Sequence, residues 1–285
     1  MPPDAAEGSS LSIRPADRNG LTTMLSWAAA EGWNPGLDDA AAFHRADPDG
    51  FLLGWLDDEP VASISLVRYD ERFAFLGLYI VRPDQRGRGH GMAMWRAALA
   101  LAGDRTVGLD GVVDRQADYA RSGFRLMRRN IRYAGRGGGN PADGAMTVDD
   151  VGHEALAAYD RGAFPAPRHA FLDGWLRPAG GATLAVVRAR AVRGYGVVRP
   201  CREGAKVGPL FADTPADAAR ILDGLAAHVG DAPLFLDVPA PNAAAIRLAE
   251  RRGMVPVFET ARMYLGDPPD EPVERIFGVT TFELG

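Results

Sequence analysis

The sequence contains little cysteine and no long apolar segment. Cys201 is the only cysteine among 285 residues, which rules out an internal disulfide and any cysteine-based metal cluster. No apolar run approaches the ~20 residues that a membrane-spanning helix needs. The acidic, polar N-terminus, residues 1–7, lacks the pattern of a secretory signal peptide. We therefore predict a cytoplasmic protein with no membrane partner.

Concentrated positive charge is also missing. Lys206 is the only lysine, the formal net charge is −5, and no block of basic residues reaches the scale of a nucleic-acid surface. The five histidines are scattered without paired spacing. We therefore expect no nucleic-acid partner and no metal site.

The length of the chain suits two domains of roughly 140 residues each. Hydrophobic residues make up 47% and charged residues 24%, as in ordinary globular proteins. The segment 136–144 contains four glycines and is typical of a flexible linker. We predict one domain over 1–136, a glycine-rich linker over 137–145 and a second domain over 146–285.

The most informative segment is 78–102. An apolar strand leads into a proline-containing turn, then into Arg-Gly-Arg-Gly-His-Gly at 86–91, and then into a helix predicted over 92–102. The glycines allow close approach of the backbone, and the helix directs free N–H groups and its positive dipole end to the same place. The pattern predicts an anion site for a phosphate or pyrophosphate.

Two common phosphate loops do not fit this segment. A dinucleotide loop requires Gly-x-Gly-x-x-Gly, but the glycines here follow Gly-x-Gly-x-Gly. A nucleoside-triphosphate loop ends in Gly-Lys-Ser/Thr, and this segment has no lysine.

The segment resembles the acetyl-CoA signature of the GNAT superfamily of N-acetyltransferases, Arg/Gln-x-x-Gly-x-Gly/Ala, at Arg86, Gly89 and Gly91. A second match is Tyr119 to Phe124, similar to the Tyr-x-x-x-Gly-Phe that closes the last helix of related GNAT proteins. The segment 27–36 resembles a bacterial subgroup with two GNAT-like halves. The resemblance implies an α/β (α+β) fold with two tandem GNAT-like domains, each a mixed, mainly antiparallel sheet flanked by helices.

The predicted elements of the first half follow the GNAT order. Strands are predicted at 11–14, 51–56, 61–69, 73–81, 106–110 and 127–134, and helices at 18–30, 39–45, 92–102 and 116–122. No strand after Tyr133 closes a final hairpin. The second half could supply one, which would make the two halves inseparable.

The second half repeats the pattern without its functional residues. Helices are predicted at 151–158, 168–175, 216–229 and 242–252, and strands at 183–189, 195–199, 206–211, 234–238, 257–265 and 276–283. No glycine-rich loop follows Phe211, and Ala249 stands where the tyrosine would be. The resemblance therefore implies a degenerate second domain that does not bind CoA and instead shapes the acceptor site or a dimer surface.

The resemblance also implies a cofactor site, with acetyl-CoA as cosubstrate. The backbone of the strand at 78–81 would pair with the pantetheine arm, and the loop at 86–91 would bind the pyrophosphate. The implied cofactor-binding residues are Leu78, Ile80, Val81, Arg86, Gly87, Arg88, Gly89, His90, Gly91 and Tyr119. The His90 side chain is expected to face solvent.

Acetyl transfer to an amine requires a proton donor for the thiolate and a way to deprotonate the ammonium. A phenol stays protonated at neutral pH, so Tyr119 is the candidate acid, although it could simply pack on the cofactor helix. The candidate bases are Asp110, at a strand end, and Glu31, in the loop expected beside the acceptor. A water-mediated route, or an amine that arrives neutral, fits the sequence as well.

Four residues are candidates for the acceptor site: Trp33, Asn34, Phe164 and Arg168. Aromatic residues in glycine- and proline-rich loops can line a pocket, or can attach the loop to the core. If Arg168 faces the cleft, an acceptor that carries a carboxylate is implied.

The resulting hypothesis is an acetyl-CoA-dependent N-acetyltransferase. It would move the acetyl group to a primary amine of a small molecule by direct attack on the thioester in a ternary complex, as a monomer or homodimer. The alternative is a non-catalytic acetyl-CoA-binding sensor or regulatory module. An acyl group longer than acetyl is a third possibility.

Overall fold

The computed structural model describes residues 10–140 and 144–285. The N-terminal segment 1–7, and residues 141–143 of the predicted linker, lie outside the described residues. At the start of that linker, the Gly137 and Gly138 amides donate to the carbonyls of Ala232 and Ala226.

The first half contains every element predicted for it, with small shifts at the ends. Its strands are β1 (Ser12–Pro15), β2 (Phe51–Leu56), β3 (Glu59–Arg68), β4 (Phe73–Val81), β5 (Thr106–Val112) and β6 (Arg125–Arg136). Its helices are α1 (Arg18–Ala30), α2 (Asp39–Ala46), α3 (His90–Ala102) and α4 (Gln116–Arg121). The Asp17 side chain caps α1 by accepting from the Gly20 amide.

The second half follows the same plan, with three differences from prediction. Its strands are β7 (Ala145–Thr147), β8 (Ala182–Arg188), β9 (Ala191–Pro200), β10 (Ala205–Ala212), β11 (Pro233–Pro239), β12 (Val255–Leu265) and β13 (Ile276–Gly278). Its helices are α5 (Val148–Val151), α6 (His153–Asp160), α7 (His169–Trp175), α8 (Pro215–Val229) and α9 (Ala243–Arg251).

The differences have local causes. The helix predicted over 151–158 is divided into α5 and α6 at Gly152, whose φ of +87° interrupts helical geometry. The short β7 was not predicted. The strand predicted over 276–283 is wrong beyond Gly278, because the chain then turns and the Gly285 amide donates to the Thr281 carbonyl. Residues 276–285 are called the C-terminal tail below.

The two halves share one 13-stranded sheet because they exchange strands. Its order is β1-β2-β3-β4-β5-β12-β6-β11-β10-β9-β8-β7, with β13 paired to β10 outside this path. Strand β12 of the second half therefore lies between β5 and β6, and β6 of the first half lies between β12 and β11. The second half thus supplies the missing closing strand. Among the described strands, only the β4·β5 and β10·β11 pairs are parallel, which confirms a mixed, mainly antiparallel sheet.

The core likewise joins the two halves. One cluster packs beneath α3 in the first half and another beneath α8 and α9 in the second. A third contains Leu21 of α1, Phe43 of α2, Leu172 of α7 and Phe282 of the C-terminal tail. No helix in the described part of the chain combines the length and apolar character needed to cross a membrane.

Candidate active site

A cavity of about 730 Å³ opens beside β4, in the first half of the chain. The pairing of β4 with β5 ends at Leu76 and Leu109, and beyond that point the two strands separate. The cavity occupies this separation. Its walls come from β4, β5, the loop before α3 and α4, together with β12 and the C-terminal tail of the second half.

A β-bulge shapes the open edge of β4. The register between β3 and β4 shifts between Ser63 and Ser65, and Leu78 in the bulge has a φ of +46°. The Ser63 hydroxyl donates to the Leu78 carbonyl at 2.7 Å and fixes the bulge. Leu78, Ile80 and Val81 line the cavity, at the positions where the resemblance implies backbone pairing with the pantetheine arm.

The glycine-rich loop has the geometry expected of an anion site. Gly87 and Gly89 have φ values of +77° and +86°, a region that L side chains rarely occupy. Gly89 is the N-cap of α3, which begins at His90 rather than at the predicted Met92. A Cβ on Gly91 would lie 2.7 Å from the Tyr79 hydroxyl. Free N–H groups at the start of α3 therefore lie beside the cavity.

The predicted cofactor residues of this loop divide into two groups. Arg86, Gly87, Gly89 and Gly91 line the cavity. Arg86 also donates from Nε to the Val81 carbonyl at 2.9 Å, which holds its guanidinium at the loop. Arg88 and His90 are not among the lining residues; Arg88 is exposed and His90 is half-buried.

Tyr119 projects from α4 into the cavity. Its ring lies 5.7 Å from that of Trp95 on α3, centroid to centroid. A Cβ on Gly111 of β5 would overlap the Tyr119 ring, so the glycine permits this approach. Burial, and to a lesser extent neighbouring Tyr79, raises the pKa of Tyr119 to about 12. The phenol therefore keeps its proton at neutral pH and can donate it.

Asp110 and Glu31 line the cavity, but both carboxylates are already engaged. Asp110 accepts from Nε and Nη2 of Arg262 at 2.9 and 2.6 Å, and from the Asn130 amide at 2.7 Å. Its side chain is fully buried, so it joins β5 to the exchanged strand β12. Glu31 pairs with Arg86 at 2.5 Å. Asp110 is thus held by buried partners and Glu31 by a partly exposed one, and the role of either as the base stays a prediction.

The loop at 31–37 is held in place by the second half. Trp33 lines the cavity, and its carbonyl accepts from Arg132 at 2.8 Å and from Lys206 at 3.3 Å. Asn34 does not line the cavity; its amide exchanges hydrogen bonds with the backbone of Glu203. Asn34 therefore anchors the loop and lies outside the expected acceptor site.

The structure does not bring Phe164 and Arg168 to the cavity either. Arg168 is buried and makes a bidentate ion pair with Asp160 at 2.9 and 2.7 Å. Its guanidinium carbon also lies 3.8 Å from the ring centroid of Phe164. The residues that line the cavity include neither of them. Both residues hold the loop at 161–168 against the core. Because Arg168 does not face the cavity, its position gives no reason to expect an acceptor that carries a carboxylate.

Sequence reasoning missed the contribution of the second half to the cavity. Phe258 and Thr260 reach it from β12, and Phe282 and Glu283 from the C-terminal tail. The two phenyl rings lie 6.3 Å apart. Because these residues are more than 130 positions away from Tyr119 in the sequence, no local pattern could have indicated them.

The corresponding separation in the second half is filled by the chain itself. The pairing of β10 with β11 ends at Val207 and Leu236, and β13 then pairs with β10. The Val279 amide donates to the Asp237 carbonyl at 2.8 Å. A Cβ on Gly208 would overlap the Thr280 carbonyl oxygen. The C-terminal tail therefore occupies the place that a pantetheine arm would take.

Metal ligation has no candidate in the described ranges, 10–140 and 144–285. No group of three or more histidine, cysteine, aspartate or glutamate side chains there could hold an ion.

Sequence comparisons match each half separately. Residues 19–137 match the acetyltransferase (GNAT) family, and residues 156–278 match a second acetyltransferase (GNAT) domain family. The chain is 29% identical over 275 residues to holothin acyltransferase of Pseudoalteromonas sp. (strain SANK 73390), covering 95% of this chain and 94% of that protein.

Solved structures resemble the whole chain. A protein from Pyrococcus horikoshii, provisionally described as an acetyltransferase, superposes with a TM-score of 0.82 and 25% identity, covering 100% of this chain and 99% of the other. A tandem GNAT protein from the clavulanic acid biosynthesis pathway, crystallised without AcCoA, has a TM-score of 0.62 and 17% identity, covering 92% and 100%. The second likeness concerns the fold alone.

Proposed function

The chain belongs to the GNAT superfamily of acetyltransferases, with one match in each half, and from this membership we propose that it acetylates small-molecule primary amines. Acetyl-CoA would bind in the first half, and the amine would attack its thioester directly in a ternary complex. The cavity carries the proposal, because a glycine-rich loop at a helix N-terminus, an open strand edge and a protonated phenol lie around one space.

Each part of the cavity has a role in this reaction. The loop at 86–91 and the start of α3 would bind the pyrophosphate, and the open edge of β4 would pair with the pantetheine arm. The Tyr119 phenol would then donate its proton to the departing thiolate. The phenol form dominates throughout the neutral range, so the proton is present where the thiolate departs.

The acceptor would enter from the side formed by the second half. The cavity walls supplied there are aromatic, with Phe258 and Phe282, and Trp33 of the first half also lines the cavity. The name of the Pseudoalteromonas relative gives holothin as the acceptor of that protein. The aromatic walls support an acceptor with a flat apolar body. An acyl donor longer than acetyl remains an alternative that a panel of acyl-CoA thioesters would decide.

One observation favours the alternative of a non-catalytic acetyl-CoA-binding module. Both carboxylates first considered as bases, Asp110 and Glu31, are engaged in ion pairs. Such a module would bind acetyl-CoA and release no thiol when amines are added.

Titration calorimetry with acetyl-CoA tests the binding part of the proposal. We expect one equivalent per chain, because the C-terminal tail fills the corresponding site of the second half. Amine-dependent release of free thiol from acetyl-CoA then separates the enzyme from the binding module. Two equivalents, or no binding, would contradict the proposed site.

The Tyr119→Phe variant tests the acid. The phenyl ring preserves the packing on Trp95, so we expect unchanged acetyl-CoA affinity by calorimetry. Loss of the phenolic proton should lower kcat by about 10²–10⁴-fold, the usual contribution of a general acid. A variant within about twofold of the wild-type kcat would show that the thiolate leaves without help from Tyr119.

A further inference from the structure

Glu283 is a buried carboxylate with an unsatisfied oxygen beside the cavity. It lies in the C-terminal tail, is only 3% exposed and belongs to the cavity wall. One carboxylate oxygen, Oε2, accepts from the Thr281 hydroxyl. The other, Oε1, is buried and has no hydrogen-bond partner among the described residues. A buried polar atom without a hydrogen bond destabilises the protein by about 1–3 kcal/mol. A ligand that donates a hydrogen bond to this oxygen would remove that cost.

Backbone contacts fix the position of Glu283 beside β4. A Cβ on Gly77, the residue before the bulge, would overlap the Glu283 carbonyl oxygen, so glycine allows the tail to reach the strand. The Tyr69 hydroxyl donates to the Leu284 carbonyl at 2.8 Å. The tail therefore brings this carboxylate to the place where β4 and β5 separate, next to the proposed position of the thioester.

A second unsatisfied polar atom belongs to the same cavity. Thr260 of β12 is 2% exposed, lines the cavity, and its Oγ1 has no hydrogen-bond partner within the described part of the chain. An ammonium group has three N–H donors and is the kind of group that satisfies unpaired oxygens of this kind. Two unsatisfied polar atoms in the wall of one cavity indicate a polar ligand group there.

Buried cations act on Glu283 from three neighbouring strands. Arg132 of β6, Arg199 of β9 and Lys206 of β10 all interact electrostatically with its carboxylate. Arg132 and Arg199 are themselves paired with Asp237 and Asp39. The carboxylate therefore lies among buried positive charges that already have partners of their own or, for Lys206, a backbone carbonyl as acceptor.

We propose that Glu283 accepts the proton of the acceptor ammonium and is the base for acyl transfer. The inference rests on the proposed function and adds its missing base. It also gives the C-terminal tail two roles, because the same segment closes the second-half site and completes the first.

The proposed step balances in protons and electrons. Glu283 takes one proton from R–NH₃⁺, and the freed nitrogen lone pair forms the C–N bond to the thioester carbonyl. The C–S bond then breaks, and its electron pair leaves on sulfur, which takes the proton of Tyr119. The second amine proton returns to the Tyr119 oxygen. The products are the amide, CoA thiol and one proton carried by Glu283 to solvent.

The Glu283→Gln variant of the full chain tests the inference. The probe is the amine that the wild type acetylates fastest in a panel of primary alkylamines with aromatic bodies, assayed by thiol release from acetyl-CoA. We expect kcat to fall by about 10²–10⁴-fold, with acetyl-CoA affinity unchanged by calorimetry. The remaining rate of the variant should rise with pH towards the range where the amine is neutral, because the neutral amine no longer needs a base.

Glu259→Gln is the matched control. Glu259 adjoins Thr260 on β12 but is exposed, pairs with Arg129 and does not line the cavity, so its amide variant should retain the wild-type rate and pH profile. Should the Glu283→Gln protein fail to fold, Glu283→Asp keeps the carboxylate and withdraws it by one methylene. A folded aspartate variant should keep the wild-type pH profile and turn over more slowly.

The outcomes separate the two proposals. Wild-type kcat and pH profile in Glu283→Gln, or wild-type kcat in Glu283→Asp, would overturn the role of Glu283. Acetyl-CoA binding without turnover of any panel amine would overturn the proposed enzyme together with its base. Failure of the wild type to bind acetyl-CoA would overturn the proposed function itself.

Discussion

Residues 1–140 and residues 144–285, when produced separately, are each expected to fail to form a stable monomer. Among the described strands, β6 pairs only with β12 and β11, both from the second half, so the first piece alone would leave β6 without either partner. The buried ion pair of Asp110 with Arg262 would also be divided. Domains are stable by only about 5–15 kcal/mol, and removing one partner of a buried pair costs about 3–5 kcal/mol.

Circular dichroism and urea unfolding of each piece would measure this effect. Mixing the two pieces, or cleaving the intact chain between residues 140 and 144, should give a complex with one cooperative transition. Cooperative unfolding of either piece alone would show that the exchanged strands are dispensable. The predicted boundaries, 1–136, 137–145 and 146–285, would then describe independent domains.

The Gly89→Glu variant is expected to lose acetyl-CoA binding by at least about 100-fold. The φ of +86° at Gly89 costs an L residue about 1–2 kcal/mol. The added carboxylate would lie beside the proposed pyrophosphate, and contact between like charges costs several kcal/mol, where each 1.4 kcal/mol is tenfold. Calorimetry measures the affinity, and thermal unfolding checks that the variant folds.

Gly89→Ala separates the two causes. No atom lies within 4 Å of a Cβ placed at Gly89, so alanine adds backbone strain without collision or charge. We expect at most about a tenfold loss of affinity from that strain. Undiminished binding by Gly89→Glu would place the pyrophosphate away from this loop.

Much of the fold could be predicted because its signals are local. Alternating apolar residues and turn residues located the strands of the first half, and the glycine-rich run located the start of α3 to within two residues. The prediction failed beyond Gly278, where an apolar segment resembled a strand. This segment is buried because it packs between the two halves. Burial of this kind selects the same apolar residues as a buried strand, so the two cannot be told apart by sequence.

The candidate site was predicted in part. The loop at 86–91 and Tyr119 carry local signatures, and both lie at one cavity. The roles of Arg168 and Asp110 could not be predicted from local patterns. The sequence does not distinguish a charged residue that binds a ligand from one that forms a buried ion pair. Arg168 pairs with Asp160, and Asp110 pairs with Arg262. Only the tertiary structure shows these partners.

The sequence by itself determined the family, the two-half organisation and which half keeps the glycine-rich loop. Those properties depend on residues close together in the chain, because turns and helix ends require particular residues at fixed spacings. Only the tertiary structure decided that the halves exchange strands and that the C-terminal tail fills one site while bringing Glu283 to the other. Such contacts join residues up to about 200 positions apart, as between Tyr69 and Leu284. They form because burying the shared core and pairing its charges lowers the free energy of the whole chain. No local sequence pattern indicates that free energy, because it depends on residues from both halves.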